Sequence, residues 1–165
     1  MKLQSLFDLY LLELRDLYSA EEQIVKALPK VIQNVASEEL RTALENHLEE
    51  TRGHVGRLER VFAMHDQEPV KQKCKGMQGV LEEGEEMLDL DAPDAVRDAA
   101  IISACQRVEH YEMAAYGTVR TYATQLGLER AAAVLQETLD EEVAADETLT
   151  QIAGTRINTE ATRTA

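Results

Sequence analysis

The chain is poor in the residues that interrupt helices: three prolines and eight glycines among 165 residues. Aromatic residues make up only 4%, and no run alternates apolar and polar residues as a half-buried strand does. These shortages argue against a sheet protein. The two cysteines, Cys74 and Cys105, are too few for a disulfide framework. No apolar run is long enough to span a bilayer. The apolar stretch near the start is broken by Asp8, Glu13, Arg15 and Asp16, so it reads as helix rather than a secretion signal. A cytoplasmic, reducing location is therefore expected. Positive charge is also scarce. Seventeen Lys and Arg face thirty-one Asp and Glu, a formal net charge of −14. Such a chain repels phosphate backbones and anionic lipid heads, which argues against nucleic acid and membranes as direct partners. The one basic cluster, Lys71, Lys73 and Lys75, is too small to reverse this.

What is abundant is Leu, Ala, Glu, Arg and Gln, all favourable in helices. Four long periodic segments follow. The first runs roughly from Leu3 to Val35, with a stripe of Tyr10, Leu14, Leu17, Glu21, Ile24, Leu28, Val31 and Val35. Its spacing alternates four and three, as the seam of a bundle requires. Pro29 predicts a kink or local break there. The second starts after the N-cap Ser37 and fades near Asp66, with Pro69 beyond. Residues 66–92 make a long connection that carries a short acidic helix, Met77 to Leu90. A third helix begins near Pro93 and ends where Gly127 caps it. The fourth runs from Leu128 to about Ala153, and Gly154 ends it.

Short first and last connections make each pair an antiparallel hairpin, and the middle one is long enough to travel the length of a bundle. The expected fold is all-α: a ferritin-like four-helix bundle with one crossover. Residues 1–154 form the domain and residues 155–165 a loose polar tail. A shift of 91 residues carries the first stripe onto the third and much of the second onto the fourth, as in a pseudo-symmetric pair of hairpins.

Acids stand where this pattern calls for leucine. Glu21 occupies a seam position, and the 91-residue shift carries it onto Glu112. Glu50 lies beside the second seam and shifts onto Glu141, while Glu142 continues the Leu135–Leu149 heptad more closely. His47 and His54 are both in the second seam. A buried carboxylate without a partner is costly, and several together repel. Cations remove both penalties. A di-metal bundle takes one Glu from each of two helices and a Glu with a His from each of the others. Glu21, Glu112 and Glu50 with His47 or His54 fit that scheme. The fourth helix offers Glu141 or Glu142 with Asp146 and no His. Oxygen-rich ligands suit iron or manganese. In this reading Glu50 and Glu141 or Glu142 bridge, and Glu21, Glu112 and a His are terminal. Each acid taken singly reads more simply as a boundary residue reaching water; it is the coincidence on four helices that carries the metal reading. His110 reads as a surface or boundary residue, and Tyr18 and Tyr111 as core tyrosines.

The strings Asp16-Leu17-Tyr18-Ser19-Ala20-Glu21, His47-Leu48-Glu49-Glu50-Thr51, Gln106-Arg107-Val108-Glu109-His110-Tyr111-Glu112 and Glu137-Thr138-Leu139 with Glu141-Glu142 resemble those of the YciE/YciF-like stress proteins, a ferritin-like family of bacteria. The resemblance covers nearly the whole chain. It implies a dimer with a role in stress responses. It also implies polar core positions at Asp16, Glu21, His47, Glu50, Glu109, Glu112, Glu141 or Glu142, and Asp146. His54 departs from the family pattern, which carries glutamine there, so the resemblance favours His47. The functional expectation is a di-metal protein with oxygen, peroxide or ferroxidase chemistry. The alternative is a metal-poor scaffold or partner-binding protein. In the first segment Leu3, Leu6, Leu9 and Leu12 flank the main stripe, which predicts a homodimer through the first two helices. Light scattering at micromolar concentration should report twice the chain mass; a monomer contradicts this assembly.

Overall fold

The computed structural model describes residues 3–70 and 72–163; Lys71, of the basic cluster, lies outside them. Five helices of substantial length follow one another: α1 Leu6–Asn34, α2 Glu38–Ala63, α3 Lys75–Leu88, α4 Asp94–Gln125 and α5 Glu129–Ile152. Among the described residues there is no strand. Local chemistry fixes the ends. The Ser5 hydroxyl accepts from the Asp8 amide at 3.0 Å and the Asp8 carboxylate accepts back from the Ser5 amide at 3.0 Å, a reciprocal cap for α1. The Ser37 side chain caps α2, and Gly127 stops α4 with φ 71°, a left-handed backbone that glycine adopts at little cost. Pro29 lies inside α1, which continues past it without the break expected there.

α1 packs on α2 and α4, and α5 packs on α2 and α4, so the four long helices form a ring. The C-terminal half of α1, with Ile24 and Leu28, shares a core with Ile101, Ile102 and Cys105 near the start of α4, and with Leu40 and Leu44 of α2 and Leu149 and Ile152 of α5. The N-terminal half of α1, with Tyr10, Leu14 and Leu17, shares a second core with Val61 and Phe62 of α2, Val119 and Ala123 of α4, and Leu135 of α5. Each helix therefore runs opposite to both neighbours. The chain leaves α2 at one end of the bundle and enters α4 at the other. Residues 64–93 span that distance, and α3 within them packs along α4 and α1. This is the single-crossover bundle expected from the connection lengths.

Asp98 of α4 ties the far end together. Its carboxylate accepts from the Ala36 amide at 3.0 Å and the Ser37 amide at 2.8 Å. Those amides lie at the turn into α2 and would otherwise be lost to hydrogen bonding. Gly76, at the start of α3, lies against the Tyr111 ring, where an added Cβ would come within 2.8 Å. α3 is thereby seated on α4.

The tail corrects one expectation. Gly154 does not end the fourth helix. The backbone continues through a π-helical stretch, Ala153–Ile157, into a last short helix α6, Asn158–Ala161. The reason is Ile157, which is 1% exposed and joins the core near Ile152. An apolar anchor in an otherwise polar tail outweighs the single helix-weakening glycine.

Leu17 and Leu135 sit in the second core, each 1% exposed. Truncating either to alanine should cost about 2–5 kcal/mol in denaturant unfolding, as buried leucines do. A loss below about 0.5 kcal/mol at both sites contradicts this packing.

Candidate metal centre

Between the two apolar cores lies a polar layer. α1 contributes Glu21, α2 contributes His47, Thr51 and His54, α4 contributes Glu109 and Glu112, and α5 contributes Thr138 and Glu142. Glu21, His54, Glu112 and Glu142 are fully buried. The seam periodicity causes this placement: each residue occupies a turn at which its helix would otherwise present an apolar side chain.

Two groups of donors share one residue. Glu21, His54 and Glu142 form the first, and His47, Glu109 and Glu142 the second; within each, the donor atoms lie within 4.8 Å of one another. His54 Nδ1 is 2.9 Å from Glu142 Oε1 and 3.5 Å from Glu21 Oε1. His47 Nε2 is 3.3 Å from Glu109 Oε1. Many of these atoms have no hydrogen-bond partner: both oxygens of Glu112, both of Glu142, one each of Glu21 and Glu109, both ring nitrogens of His47, and His54 Nδ1. His54 Nδ1 and Glu142 are close enough to attract yet are not aligned as a hydrogen bond. Unpaired polar atoms are rare in protein interiors because each forfeits its hydration. Here nine of them converge. Carboxylate oxygens and imidazoles in this mixture are donors that could hold a metal ion in either group.

Surrounding groups shape the layer. The Tyr116 hydroxyl, fully buried, donates to Glu21 Oε1, leaving Oε2 free. Arg57 holds Glu141 through a 2.7 Å bond from Nη2 to Oε1, and His54 Nε2 donates to Glu141 Oε2 at 2.8 Å. Burial drives Glu109 and Glu112 well above the usual carboxylate range, reinforced by the charges of neighbouring acids. Burial also raises Glu21, although His54 pulls the other way. Burial opposes a charge on His54, but contacts with Glu142 and Glu21 overcome it and lift the imidazole to about 11. Glu142 is correspondingly lowered: burial resists its charge, and His54 outweighs burial. Without metal, burial and mutual repulsion favour protons on Glu21, Glu109 and Glu112, and His54 and Glu142 favour each other's charged forms.

Of the residues singled out from the sequence, Glu21, His47, His54, Glu109, Glu112 and Glu142 meet in this layer. Three do not. Glu50 is exposed, its nearest layer contact being His47 Nδ1 at 3.9 Å. It lies one residue off the seam, which turns it toward solvent. Glu141 is turned outward onto Arg57, leaving Glu142 as the shared position. Asp146 accepts from Gln106 at 3.0 Å and lies 3.4 Å from His110, whose side chain is exposed. Asp16 accepts from the Tyr111 hydroxyl at 3.0 Å, outside the layer. His54, disfavoured by the family pattern, is central. Tyr116 and Arg57 are additions. Tyr116 follows Glu112 by one helical turn, and that spacing is the signal that points to it.

Residues 5–162 match the DUF892 family, described as a domain of unknown function. The chain is 42% identical to Protein YciF of Escherichia coli K12 over 162 residues, 98% of each chain. The crystal structure of the E. coli stress protein YciF superposes with a TM-score of 0.91 at 41% identity, covering 94% of this chain and 99% of that one. YcfI of Rhodopseudomonas palustris superposes with a TM-score of 0.88 at 41% identity, over 91% and 96% of the two chains. A protein of Xanthomonas campestris shares the fold at 16% identity, with a TM-score of 0.76 over 96% and 98%.

The protonated layer sets a pH dependence. Glu21, Glu109 and Glu112 have raised folded-state values, so the folded metal-free protein keeps protons that the unfolded chain has released. Stability present at low pH is then lost as pH rises through those values. His54, also raised, acts the same way above its ordinary 6.5. Glu142 opposes, and so does Glu141, held low chiefly by Arg57: a lowered value adds stability that is lost as pH falls. The metal-free protein should melt higher at about pH 5.5 than at about pH 8. Surface repulsion pushes in the same direction, so the control is position. Glu109→Gln with Glu112→Gln should flatten the profile far more than Glu82→Gln with Glu83→Gln, which change exposed acids. Equal responses from the two pairs sink the protonated layer.

Proposed function

Since this chain belongs to the DUF892 family, whose E. coli member YciF is a stress protein, we propose that it is a stress-response helical bundle that holds two iron or manganese ions between its apolar cores. The observation that carries this reading is Glu142, fully buried, shared by two donor groups and without a hydrogen bond to either oxygen. A carboxylate shared in this way suits a bridge, with Glu21 and His54 on one side and His47 and Glu109 on the other. Glu112, also unpartnered, completes the acid complement. Four carboxylates balance two divalent cations, which removes the charge imbalance within the layer.

A bound pair of iron ions supplies two one-electron steps, enough for chemistry with oxygen or peroxide. The chain's own residues prepare the place. Tyr116 fixes one oxygen of Glu21 and leaves the other to the metal. Arg57 keeps Glu141 out of the layer. The apolar cores on either side exclude water, which strengthens every attraction within. A cleft of about 200 Å³ between α2 and α5, lined by Asn46, Glu50, Glu141 and Thr148, reaches His47 and Glu109. Its acids attract cations, and this gives Glu50 a place on the approach rather than in the site. The assembly we propose is a homodimer in the cytoplasm.

Protein purified without chelator or a metal-binding tag should carry about two metal ions per chain. Glu142→Ala should retain less than about half of that. Fe(II) added in air should oxidise faster than in buffer alone, and Glu142→Ala should remove the excess. Glu50→Gln should slow loading but reach the same final content. No metal after anaerobic loading would favour a metal-free scaffold instead.

A further inference from the structure

The second opening toward the polar layer is unlike the acidic cleft. It is a half-open cavity of about 380 Å³ between α1, α3 and α4, with the buried His47 of α2 and Glu109 of α4 at its inner end. α3 is held at its two ends, where Met77 is 0% and Leu88 7% exposed. Between those anchors Val80 and Leu81 line the space, facing Ile24, Leu28, Ile101 and Val108. A lining of this kind loses contact energy when no atoms fill it. The volume lies in the range of small-molecule sites, about 300–1,000 Å³.

We propose that this cavity binds a medium-chain fatty acid, its chain between α1, α3 and α4 and its carboxylate at Lys26. Charge at the two ends sets the orientation. At the inner end a carboxylate would lose its hydration among buried side chains, so the head stays at the rim, where water reaches it. At the rim, Lys30 is paired with Glu85, and Glu82 accepts from Gln78 at 2.6 Å. Among the described residues Lys26 is the one rim charge with no partner. It offers a cation to an anionic head in water while the apolar wall takes the chain. The net charge of −14 acts weakly here, because exposed charges beyond about 8–10 Å are screened at physiological salt. The acidic cleft is chemically suited to cations and the apolar cavity to organic molecules, so the layer has two separate approaches.

The proposal does not depend on the metal, and its test uses the metal-free full chain. Straight-chain carboxylates from hexanoate to tetradecanoate are titrated calorimetrically below their micelle concentrations. Affinity should rise by roughly fourfold per added methylene until the chain fills the cavity, then level off. Ala27→Phe and Ala104→Phe both project bulk into the space and should each weaken decanoate by about tenfold or more. Their melting curves identify any variant that has failed to fold, leaving the other as the test. Lys26→Gln should weaken decanoate by about two- to fivefold and leave decanol unchanged. Absence of saturable binding, or wild-type affinity in a folded cavity-filling variant, overturns the site. A decanol affinity that falls with decanoate in Lys26→Gln overturns the assigned orientation. Metal content measured separately on the same proteins keeps this outcome apart from that of the di-metal reading.

Discussion

Burying carboxylates is the constraint on which the rest of this structure depends. Glu21, Glu109, Glu112 and Glu142 share a space with almost no water, and a carboxylate there must be neutralised by a proton, an imidazolium or a metal ion. The protein uses the first two in the absence of metal. His54 and Glu142 favour each other's charged forms, and burial with mutual repulsion favours protons on the remaining acids. Such an arrangement is stable enough to fold around, yet it leaves nine donor atoms without hydrogen bonds. The donor atoms are thus held in place by the fold, and the cost of gathering like-charged groups is met in folding. The apolar cores above and below meet that cost.

Most of the architecture could be read from the chain because helical periodicity and connection length are local properties. The stripes of α1 and α4, the caps at Ser37 and Gly127, and the long run between α2 and α4 all point to the same bundle. Acids at seam positions were equally legible: Glu21, Glu112 and Glu142 stand where leucine would pack. Less legible was the choice between adjacent acids. Glu141 and Glu142 differ by one residue, about 100° around the helix, and only the partner decides which faces inward. Arg57 and His54 Nε2 hold the first at the edge of the layer, while His54 Nδ1 faces the second, and neither relation is visible without the fold.

The internal repeat both helped and misled. It pairs Glu21 with Glu112, and both lie in the layer. The same shift carries Glu50 onto Glu141, a matching pair that is outside it. It carries Thr51 onto Glu142. Thr51 is fully buried and donates to the His47 carbonyl at 2.7 Å, so α2 has a hydroxyl where α5 has the central carboxylate. The two halves share a packing pattern but not their chemistry. α2 supplies the imidazoles and α5 the shared acid.

The division of the apolar core has a consequence for how the chain reaches this state. Neither half-core belongs to one hairpin: each draws side chains from both α1–α2 and α4–α5. A hairpin alone leaves both of its apolar patches bare. The side chains that close each half come from segments separated by most of the chain: Leu40 and Ile152 share one cluster, Leu14 and Leu135 the other. Contact order is thereby raised above that of a bundle built from sequential neighbours, and ring closure waits for the crossover to be laid along its length. The polar middle is therefore enclosed only where both hairpins meet, with each apolar half completed by side chains from the other hairpin.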